Sequence, residues 1–374
     1  MTKPLTLFVI LLIVFSACQP KKETTSSKST ADKIDSLMQA IPDFSGVILF
    51  AESGYIKYLK PFGVRNFETN VPIQPTDIFE LASVSKQFTS MAIMMLKEEG
   101  KLNYDDPIEK FLPGLPYNNI TIRHLLTHTS GLPDYQAVMD EYWDKSRVAN
   151  NKDILEYLIK YQPPINFNPG EKYEYSNTGY VFLASIAEAA SGQDFVTFCA
   201  DRIFGPVQMT STAIRSNEEK LGLSNLAHGH IFVPEKNRFV RADSFPSSNY
   251  TIWLGGRKGP GRVSSTAEDL LKWDQALYSD QLVSQETLAE AFTPQTLNDG
   301  TKSNYGFGWT IIPDSPAGKV VWHNGDNPGY KTIIVRYIAQ QKTLIMLCNN
   351  YHSQFEEIRK AVDKMLKVES EEVQ

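Results

Sequence analysis

The sequence contains few cysteines. Cys18, Cys199 and Cys348 are the only three among its 374 residues. Cys199 and Cys348 each stand beside apolar residues, so we expect two buried free thiols rather than a disulfide scaffold. No spacing of cysteine and histidine residues is typical of a metal site. We therefore expect neither a bound metal nor an organic cofactor.

Blocks of like charge are also missing, apart from a short acidic tail at residues 369–374. The formal net charge of -6 is otherwise spread along the chain, which argues against nucleic acid as a partner. A hydrophobic content of 42% is enough for a sizeable core and excludes a disordered or fibrous protein. Nothing in the composition indicates an obligate protein partner, and the chain has no internal repeat.

The one long apolar run, residues 5–15, is too short to span a bilayer. It follows Lys3 and precedes two small residues and Cys18, an order typical of an export signal. Residues 15–18 resemble a bacterial lipoprotein cleavage box, in which the cysteine becomes the lipidated first residue. We therefore predict a signal peptide at 1–17, a lipid anchor at Cys18 and a flexible tether at 18–31. This predicts a protein of the bacterial cell envelope, on the periplasmic or cell-surface side of a membrane.

Segments with strand character stand at both ends of the remaining chain. They are residues 46–51 and 55–59 near the beginning, and residues 319–322, 330–338 and 343–348 before a final helix at 354–366. The part between them, roughly residues 84–300, is mostly helical in pattern. We therefore predict an α/β (α+β) fold for residues 32–368. An antiparallel sheet completed by both ends of the chain is flanked by helices and carries an inserted, mostly helical subdomain.

Ser83 and Lys86 stand three residues apart at a predicted helix start. Residues at this spacing share a face of a helix, so the hydroxyl and the amine can touch. Serine is a poor nucleophile without a base beside it, and lysine can be that base only if burial and its neighbours favour the neutral amine. The alternative is an ordinary helix cap followed by a solvated lysine.

Two further groups follow along the chain. Tyr175 and Asn177 lie on a predicted loop before a helix; a phenol held partly ionised by a nearby ammonium can accept a proton. His323 and Gly325 end a predicted strand, where glycine allows a close approach to a ligand. The backbone N–H of Asp326, which follows, can form an oxyanion hole together with the N–H of Ser83. Taken alone, Tyr175 and Asn177 are better explained as an ordinary loop tyrosine and turn asparagine. The alternative for His323 is a strand-end histidine before a turn.

The order Ser-x-x-Lys, Tyr-x-Asn and His-x-Gly resembles the class C β-lactamase-like family of penicillin-recognising serine hydrolases. Residues 120–133, 263–273 and 305–309 are also similar to that family, and the resemblance runs from about residue 34 to 366. It implies that Ser83 is acylated, that Lys86 accepts its proton and that Tyr175 is the general base. It also implies that Asn177 contacts Lys86 and the substrate amide, and that His323 lines the opposite wall.

The sequence departs from this family at His323, where a lysine often stands. Lysine is a permanent anchor for a substrate carboxylate, whereas histidine is mostly neutral at neutral pH. Asp326 adds a negative charge nearby. We therefore expect an esterase or D-amino-acid peptidase, acting on a small-molecule or peptide substrate, rather than an efficient β-lactamase. The alternative is a penicillin-binding sensor or wall-binding module of the same fold that does not turn over.

Other candidate sites are weaker. His124 and His128 are four residues apart on a predicted helix, a spacing compatible with zinc, but Leu125 stands where a catalytic glutamate is needed. Residues 255–262 form a glycine-rich loop with Arg257, Lys258 and Arg262. It can favour an anionic substrate if it lies at the cleft, and is otherwise a solvated basic loop. Tyr135 is placed equally well at the cleft rim or in the core.

Overall fold

The computed structural model describes residues 29–368. Its strands are β1 (Gly46–Glu52), β2 (Tyr55–Phe62), β3 (Val64–Asn66), β4 (Val71–Pro72), β5 (Phe79–Glu80), β6 (Ala213–Ile214), β7 (His230–Val233), β8 (Arg238–Arg241), β9 (Val263–Ser265), β10 (Thr310–Ser315), β11 (Gly318–Asn327), β12 (Tyr330–Tyr337) and β13 (Lys342–Cys348). Its α-helices are α1 (Thr30–Gln39), α2 (Lys86–Glu98), α3 (Ile122–Leu126), α4 (Tyr135–Tyr142), α5 (Asn151–Tyr161), α6 (Asn177–Ser191), α7 (Phe195–Cys199), α8 (Asn217–Leu221), α9 (Tyr250–Trp253), α10 (Ala267–Ala276), α11 (Gln285–Ala291) and α12 (Phe355–Val368).

A six-stranded antiparallel sheet, in the order β10-β11-β12-β13-β1-β2, forms the base of the fold. β1 pairs with β13 from Gly46 opposite Cys348 to Glu52 opposite Lys342. The N-terminal hairpin therefore completes a sheet whose other four strands come from the end of the chain. The predicted fold class is confirmed.

Both faces of this sheet are covered. On one face, Ile48 and Phe50 belong to a core formed with α1 and α12, where Ile358 is fully buried. On the other face, Val47 and Leu49 belong to the larger core formed with the inserted helices. Because neither face meets water, the central strands are almost continuously apolar.

The inserted part packs α2 against α6 and joins the sheet through α10. There, Arg336 of β12 and Asp274 of α10 form a buried ion pair with 2.5 Å between Nε and Oδ1. The insertion also contains a small sheet in the order β5-β9-β6 and the hairpin of β7 and β8. The sequence did not predict these strands, because segments of two to four residues are too short to show a period.

Several element boundaries differ from the predicted ones, among them those of β11 and α1. β11 continues to Asn327, so the segment 323–326 lies on a strand rather than in a turn. α1 begins at Thr30, inside the predicted tether, because the side chain of Ser29 caps it and that of Asp32 bonds back to the cap.

The two predicted thiols are confirmed, since Cys199 and Cys348 are free and buried. Among the helices of residues 29–368, none has the length and apolar character needed to cross a membrane. The predicted signal peptide, Cys18, most of the tether and the acidic tail lie outside the described residues.

Candidate active site

Ser83 lies in a short 3₁₀ turn that leads directly into α2. The preceding residue, Ala82, has a φ of +48°, a conformation that residues with a Cβ rarely adopt. The turn is held from the sheet, where Oγ1 of Thr332 donates to the carbonyl of Leu81 over 2.8 Å. Ser83 therefore lies in a strained turn that Thr332 of β12 holds in place, and not in the first turn of α2.

Gly325 of β11 lies directly against this turn. A Cβ at Gly325 would stand 2.1 Å from the carbonyl oxygen of Leu81 and 2.3 Å from Oγ1 of Thr332. No side chain fits in that space. The close approach expected from the sequence is therefore present, but it is made to the turn that carries Ser83 rather than to a ligand.

Lys86 is fully buried, and its amine contacts three oxygen atoms. Nζ lies 2.9 Å from Oδ1 of Asn177, 2.9 Å from the carbonyl oxygen of Pro260 and 3.0 Å from Oγ of Ser83. The first two oxygens can only accept hydrogen bonds. A neutral amine that donates its two N–H groups to them directs its lone pair to the hydroxyl of Ser83. This arrangement can take the proton from the serine.

The surroundings of Lys86 favour the neutral amine. Burial lowers the pKa of Lys86 well below its ordinary value, and the positive charge of Arg257 lowers it further. The three oxygens that Nζ contacts belong to neutral groups, so none of them carries a negative charge that would raise the pKa of Lys86. The sequence left open whether burial and neighbouring groups favour the neutral amine of Lys86, and in the structure they do.

The ring of Tyr175 covers this amine, with Nζ of Lys86 4.7 Å from the ring centroid. Tyr175 is 40% exposed, so it separates the buried lysine from the cleft. Desolvation of its hydroxyl raises the pKa of Tyr175, and a hydrogen bond with Ser83 lowers it only in part. The phenol is therefore protonated at neutral pH. This differs from the partly ionised phenol expected from the sequence, because desolvation of the hydroxyl outweighs the hydrogen bond with Ser83.

His323 does not line the cleft wall as predicted. It is 2% exposed, and its Nδ1 donates to the carbonyl of Asn324 over 2.6 Å while Nε2 accepts from the hydroxyl of Tyr305 over 2.8 Å. Desolvation, with a smaller effect of Lys86, lowers the pKa of His323 to about 3. Both ring nitrogens are engaged, so His323 is a neutral support that lies 6.2 Å from the ring of Tyr175, centroid to centroid.

His128 holds the segment that carries two of the predicted site residues. It is fully buried, and its Nδ1 accepts from the N–H of Ser176 over 3.0 Å. α3 ends before His128, which has a φ of +57°, so the predicted helix shared with His124 is wrong. Nδ1 of His124 instead accepts from the N–H of Thr121 over 3.1 Å. The two histidines bind backbone on different segments and do not share a helix face.

A polar pocket of about 80 Å³ opens beside Ser83, and Asn177 and Asp326 contribute to its lining. Oδ2 of Asp326 accepts from the hydroxyl of Tyr351 over 3.0 Å, and desolvation raises the pKa of that carboxyl. Asn177 is the first residue of α6, so its placement follows from the cap at Ser176. Ser83, Asn177 and Asp326 thus line this pocket, Lys86 and Tyr175 contact Ser83, and Gly325 packs against the turn that carries Ser83.

Arg257 and Arg262 line the same pocket. Arg262 is only 5% exposed and has a φ of +80°. The glycine-rich loop that carries both arginines is therefore folded into the cleft rather than solvated, which decides between the two interpretations of that loop. Tyr135 is 1% exposed and binds Nη1 of Arg257, so it belongs to the core beneath the loop rather than to the rim.

The family model described as Beta-lactamase matches residues 34–366. The chain belongs to the beta-lactamase family. Penicillin-binding protein 4* of Bacillus subtilis (strain 168) is 41% identical over 309 residues, covering 82% of this chain and 68% of that protein. The putative penicillin-binding protein PbpX of the same organism is 28% identical over 337 residues, covering 88% and 78%.

Solved structures with the same fold include a penicillin-binding protein from Bacillus halodurans. It has a TM-score of 0.76 at 25% identity and covers 89% of this chain and 98% of that one. D-amino acid amidase from Ochrobactrum anthropi SV3, complexed with L-phenylalanine amide, has a TM-score of 0.74 at 22% identity and covers 91% and 100%. This beta-lactamase-family protein is a serine hydrolase, of a class that acts on amide and ester bonds.

Sequence reasoning missed three contributors to the site of this beta-lactamase-family hydrolase. They are the strained Ala82, the partner hydroxyl of Tyr305 and the backbone contact of His128. Tyr305 begins a segment already noted for its family resemblance, which was the available signal. Strain at Ala82 has no signal in the sequence, because it is imposed by the strands that hold the turn.

Proposed function

We propose that the protein hydrolyses an ester or amide through an acyl-enzyme formed at Ser83, with Lys86 as the base. The observation that carries this proposal is the buried amine of Lys86, which lies 3.0 Å from the serine hydroxyl in surroundings that lower its pKa. As Oγ of Ser83 attacks the substrate carbonyl, its proton passes to the lone pair of Lys86. The backbone N–H groups of Ser83 and Asp326 then bind the oxyanion.

Tyr175 completes the proton path in this proposal. Its protonated phenol donates to the leaving group, and the ammonium formed on Lys86 returns a proton to the phenolate. In the second half of the reaction the path runs in reverse. Lys86 accepts the phenol proton, the phenolate oxygen accepts a proton from water, and the resulting hydroxide attacks the acyl carbonyl. The bond to Oγ of Ser83 then breaks, and Oγ takes a proton back from the ammonium of Lys86. Asn177 orients Lys86 and is available to the substrate amide.

We further propose that the substrate is a D-amino-acid peptide, amide or ester rather than a β-lactam. His323 stands where family members often have lysine, and its buried neutral ring offers no cation to a penicillin carboxylate. The D-amino acid amidase and the D-alanine carboxypeptidase from Burkholderia cenocepacia share the fold, which accommodates such substrates.

A substrate panel tests this function. A chromogenic cephalosporin, a short-chain nitrophenyl ester and D-amino-acid amides are compared with wild type and Ser83→Ala. We expect turnover of the ester or the amides, with a loss of at least about 10⁴-fold in Ser83→Ala. Undiminished turnover in that variant would contradict the nucleophile assignment. A persistent β-lactam adduct on Ser83 without turnover, seen by mass spectrometry, would instead identify a penicillin sensor.

Membrane attachment is a separate proposal, which rests on the sequence of residues 1–18. We propose that Cys18 is lipidated after the signal peptide is removed, which places the domain at a membrane of the cell envelope. Metabolic labelling with an alkyne fatty acid tests this. Wild type is expected to be labelled and membrane-bound, whereas Cys18→Ser is unlabelled. Equal labelling of both would refute the anchor.

A further inference from the structure

The cleft lies at one end of the six-stranded sheet and the turn between β1 and β2 lies at the other. Thr332, which holds the turn of Ser83, pairs with Leu347 of β13. Glu52, the last residue of β1, pairs with Lys342 of the same strand. These two positions on β13 are five residues apart, so about 17 Å of strand separates the cleft end from the end with the β1–β2 turn.

The first helix, α1, starts at the end of the sheet with the β1–β2 turn. Asp35 in the middle of α1 accepts from the hydroxyl of Tyr58 over 2.7 Å. Further along the helix, Met38 lines a cavity together with Phe62 at the end of β2. α1 therefore runs in the same direction as β2, and its first residues lie towards the hairpin tip, residues 53–56. The chain enters the domain at the end remote from the cleft.

The predicted anchor keeps this end of the domain near the membrane. Cys18 stands eleven residues before Ser29, whose side chain caps α1. Even a fully extended chain of that length spans no more than about 40 Å. A lipid at Cys18 therefore holds the hairpin tip closer to the bilayer than it holds the cleft.

The hairpin tip carries exposed apolar side chains. Tyr55 is 73% exposed and Ile56 is 42% exposed. A cavity of about 500 Å³ adjoins the tip and is lined by Ile56 together with Gln208 and Gln275, whose side chains are amides. Tyrosine is enriched where a bilayer meets water, because its ring is apolar and its hydroxyl is polar. This combination of side chains fits the headgroup region of a lipid bilayer.

Charge does not account for such a contact. Residues 19–28 contain three lysines and one glutamate, and the acidic tail at 369–374 contains three more glutamates. The helix before this tail, α12, ends at the same end of the sheet, since the carbonyl of Leu366 accepts from Nζ of Lys342 over 3.2 Å. The contact would therefore come from burial of apolar surface, which salt does not screen.

We propose that the hairpin tip docks on the bilayer, with Tyr55 and Ile56 in the headgroup region and the cleft facing away from the membrane. The inference rests on the proposed lipid anchor at Cys18. Two side chains alone bind a bilayer weakly, but the anchor keeps them at a high effective concentration beside it. In this orientation Ser83 acts on a substrate that lies away from the membrane rather than on one held in its lipid.

Fluorescent labels at the two ends of the sheet test this orientation. Ser53→Cys places a thiol in the hairpin tip, and Ser353→Cys places one beyond β13 at the cleft end; both serines are exposed. Cys199 and Cys348 are buried, so the label reacts with the introduced thiol. The lipidated full chain is purified and reconstituted in vesicles of phosphatidylethanolamine and phosphatidylglycerol, with and without nitroxide-bearing lipid.

We expect the nitroxide lipid to quench the label at Ser53→Cys and to leave the label at Ser353→Cys unchanged. Iodide in the buffer should show the opposite preference. Raised salt should not alter the quenching by lipid. Equal quenching of both labels by the lipid, quenching of neither, or quenching at Ser353→Cys alone would overturn the proposal.

Substitutions in the tip separate docking from anchoring. In the Ser53→Cys chain, Tyr55→Ser combined with Ile56→Ser should abolish quenching by the lipid while the protein stays on the vesicles. The matched control combines Leu221→Ser with Phe232→Ser, which removes side chains that are 67% and 44% exposed on the inserted part, and it should retain the quenching. Quenching that survives the first pair of changes would also overturn the proposal.

Two further measurements complete the test. Thermal unfolding checks that the variants are folded, and Tyr55→Ser alone, at the more exposed position, should already weaken the quenching. A chain that carries no lipid at Cys18 would stay off the vesicles, which would refute this inference together with the anchor. The proposed hydrolysis is judged separately, since turnover in solution does not depend on the orientation of the domain.

Discussion

Nζ of Lys86 lies 3.0 Å from Oγ of Ser83, and the lysine that makes this contact has no exposed surface. The two remaining contacts of the amine, with Asn177 and Pro260, are with oxygens that accept hydrogen bonds. These contacts orient the lysine, while burial and the charge of Arg257 lower its pKa. Four predictions follow from this arrangement and from the elements that hold it.

Tyr175→Phe removes the proton carrier between Lys86 and the cleft. We expect kcat to fall by about 10²- to 10⁴-fold with a nitrophenyl ester, since a positioned proton-transfer group contributes that much. The midpoint of thermal unfolding should change little, because Tyr175 is 40% exposed. Stopped-flow kinetics and thermal unfolding measure the two effects. Wild-type kinetics in this variant would exclude Tyr175 from the proton path.

The pH dependence of kcat/KM should report the free-enzyme pKa of Lys86. Only the neutral amine accepts the serine proton, so activity with an uncharged ester rises with pH through a pKa below the ordinary lysine value. Arg257→Gln removes a positive charge that lowers this pKa. The acid limb of the profile should therefore move to higher pH in Arg257→Gln and stay in place in Lys258→Gln. A shift to lower pH in Arg257→Gln would contradict the assignment of the limb to Lys86.

Gly325→Ala should damage the site through the backbone. The added methyl group would stand 2.1 Å from the carbonyl oxygen of Leu81, so β11 and the Ser83 turn must separate. We expect a loss of about 1–3 kcal/mol in the free energy of unfolding and a large fall in kcat. Gly222→Ala is the control, because its nearest contact would be 3.4 Å. Equal behaviour of the two variants in urea unfolding and in turnover would show that the close approach is unimportant.

His323 should make the protein less stable in acid. Its pKa is about 3 in the folded protein and near 6.5 in the unfolded chain. Between these values only the unfolded chain binds the proton, so the free energy of unfolding falls as the pH drops from about 6.5 towards 3.

His323→Gln removes this titration, and its unfolding midpoint should decline less than that of wild type between pH 7 and pH 4. Tyr305→Phe keeps the histidine and removes its hydroxyl partner, so it should be less stable at both pH values with a decline close to that of wild type. Thermal unfolding of the three proteins measures these differences. Identical declines in His323→Gln and wild type would rule out His323 as a source of the acid sensitivity.

Much of the fold could be predicted because its signals are local. The hairpin of β1 and β2 and the terminal run of strands are visible as short apolar segments separated by turns. The short strands β5, β6 and β9 carry no such signal, since their residues form strands only because they meet partners far away in the chain. The extension of β11 through residues 323–327 is likewise decided by its pairing with β12.

The sequence by itself determined which chemical groups are available and in what order. A spacing of three residues is a short-range feature, and the terminal strands are strongly apolar, so both can be recognised without the structure. It identified Ser83, Lys86, Tyr175 and Asn177 as candidates. Only the tertiary structure decided their states. It desolvates Lys86 and so lowers its pKa, and it engages both ring nitrogens of His323. It also places Arg257 in the lining of the pocket at Ser83. These outcomes depend on burial and on contacts between distant segments, which no local pattern records.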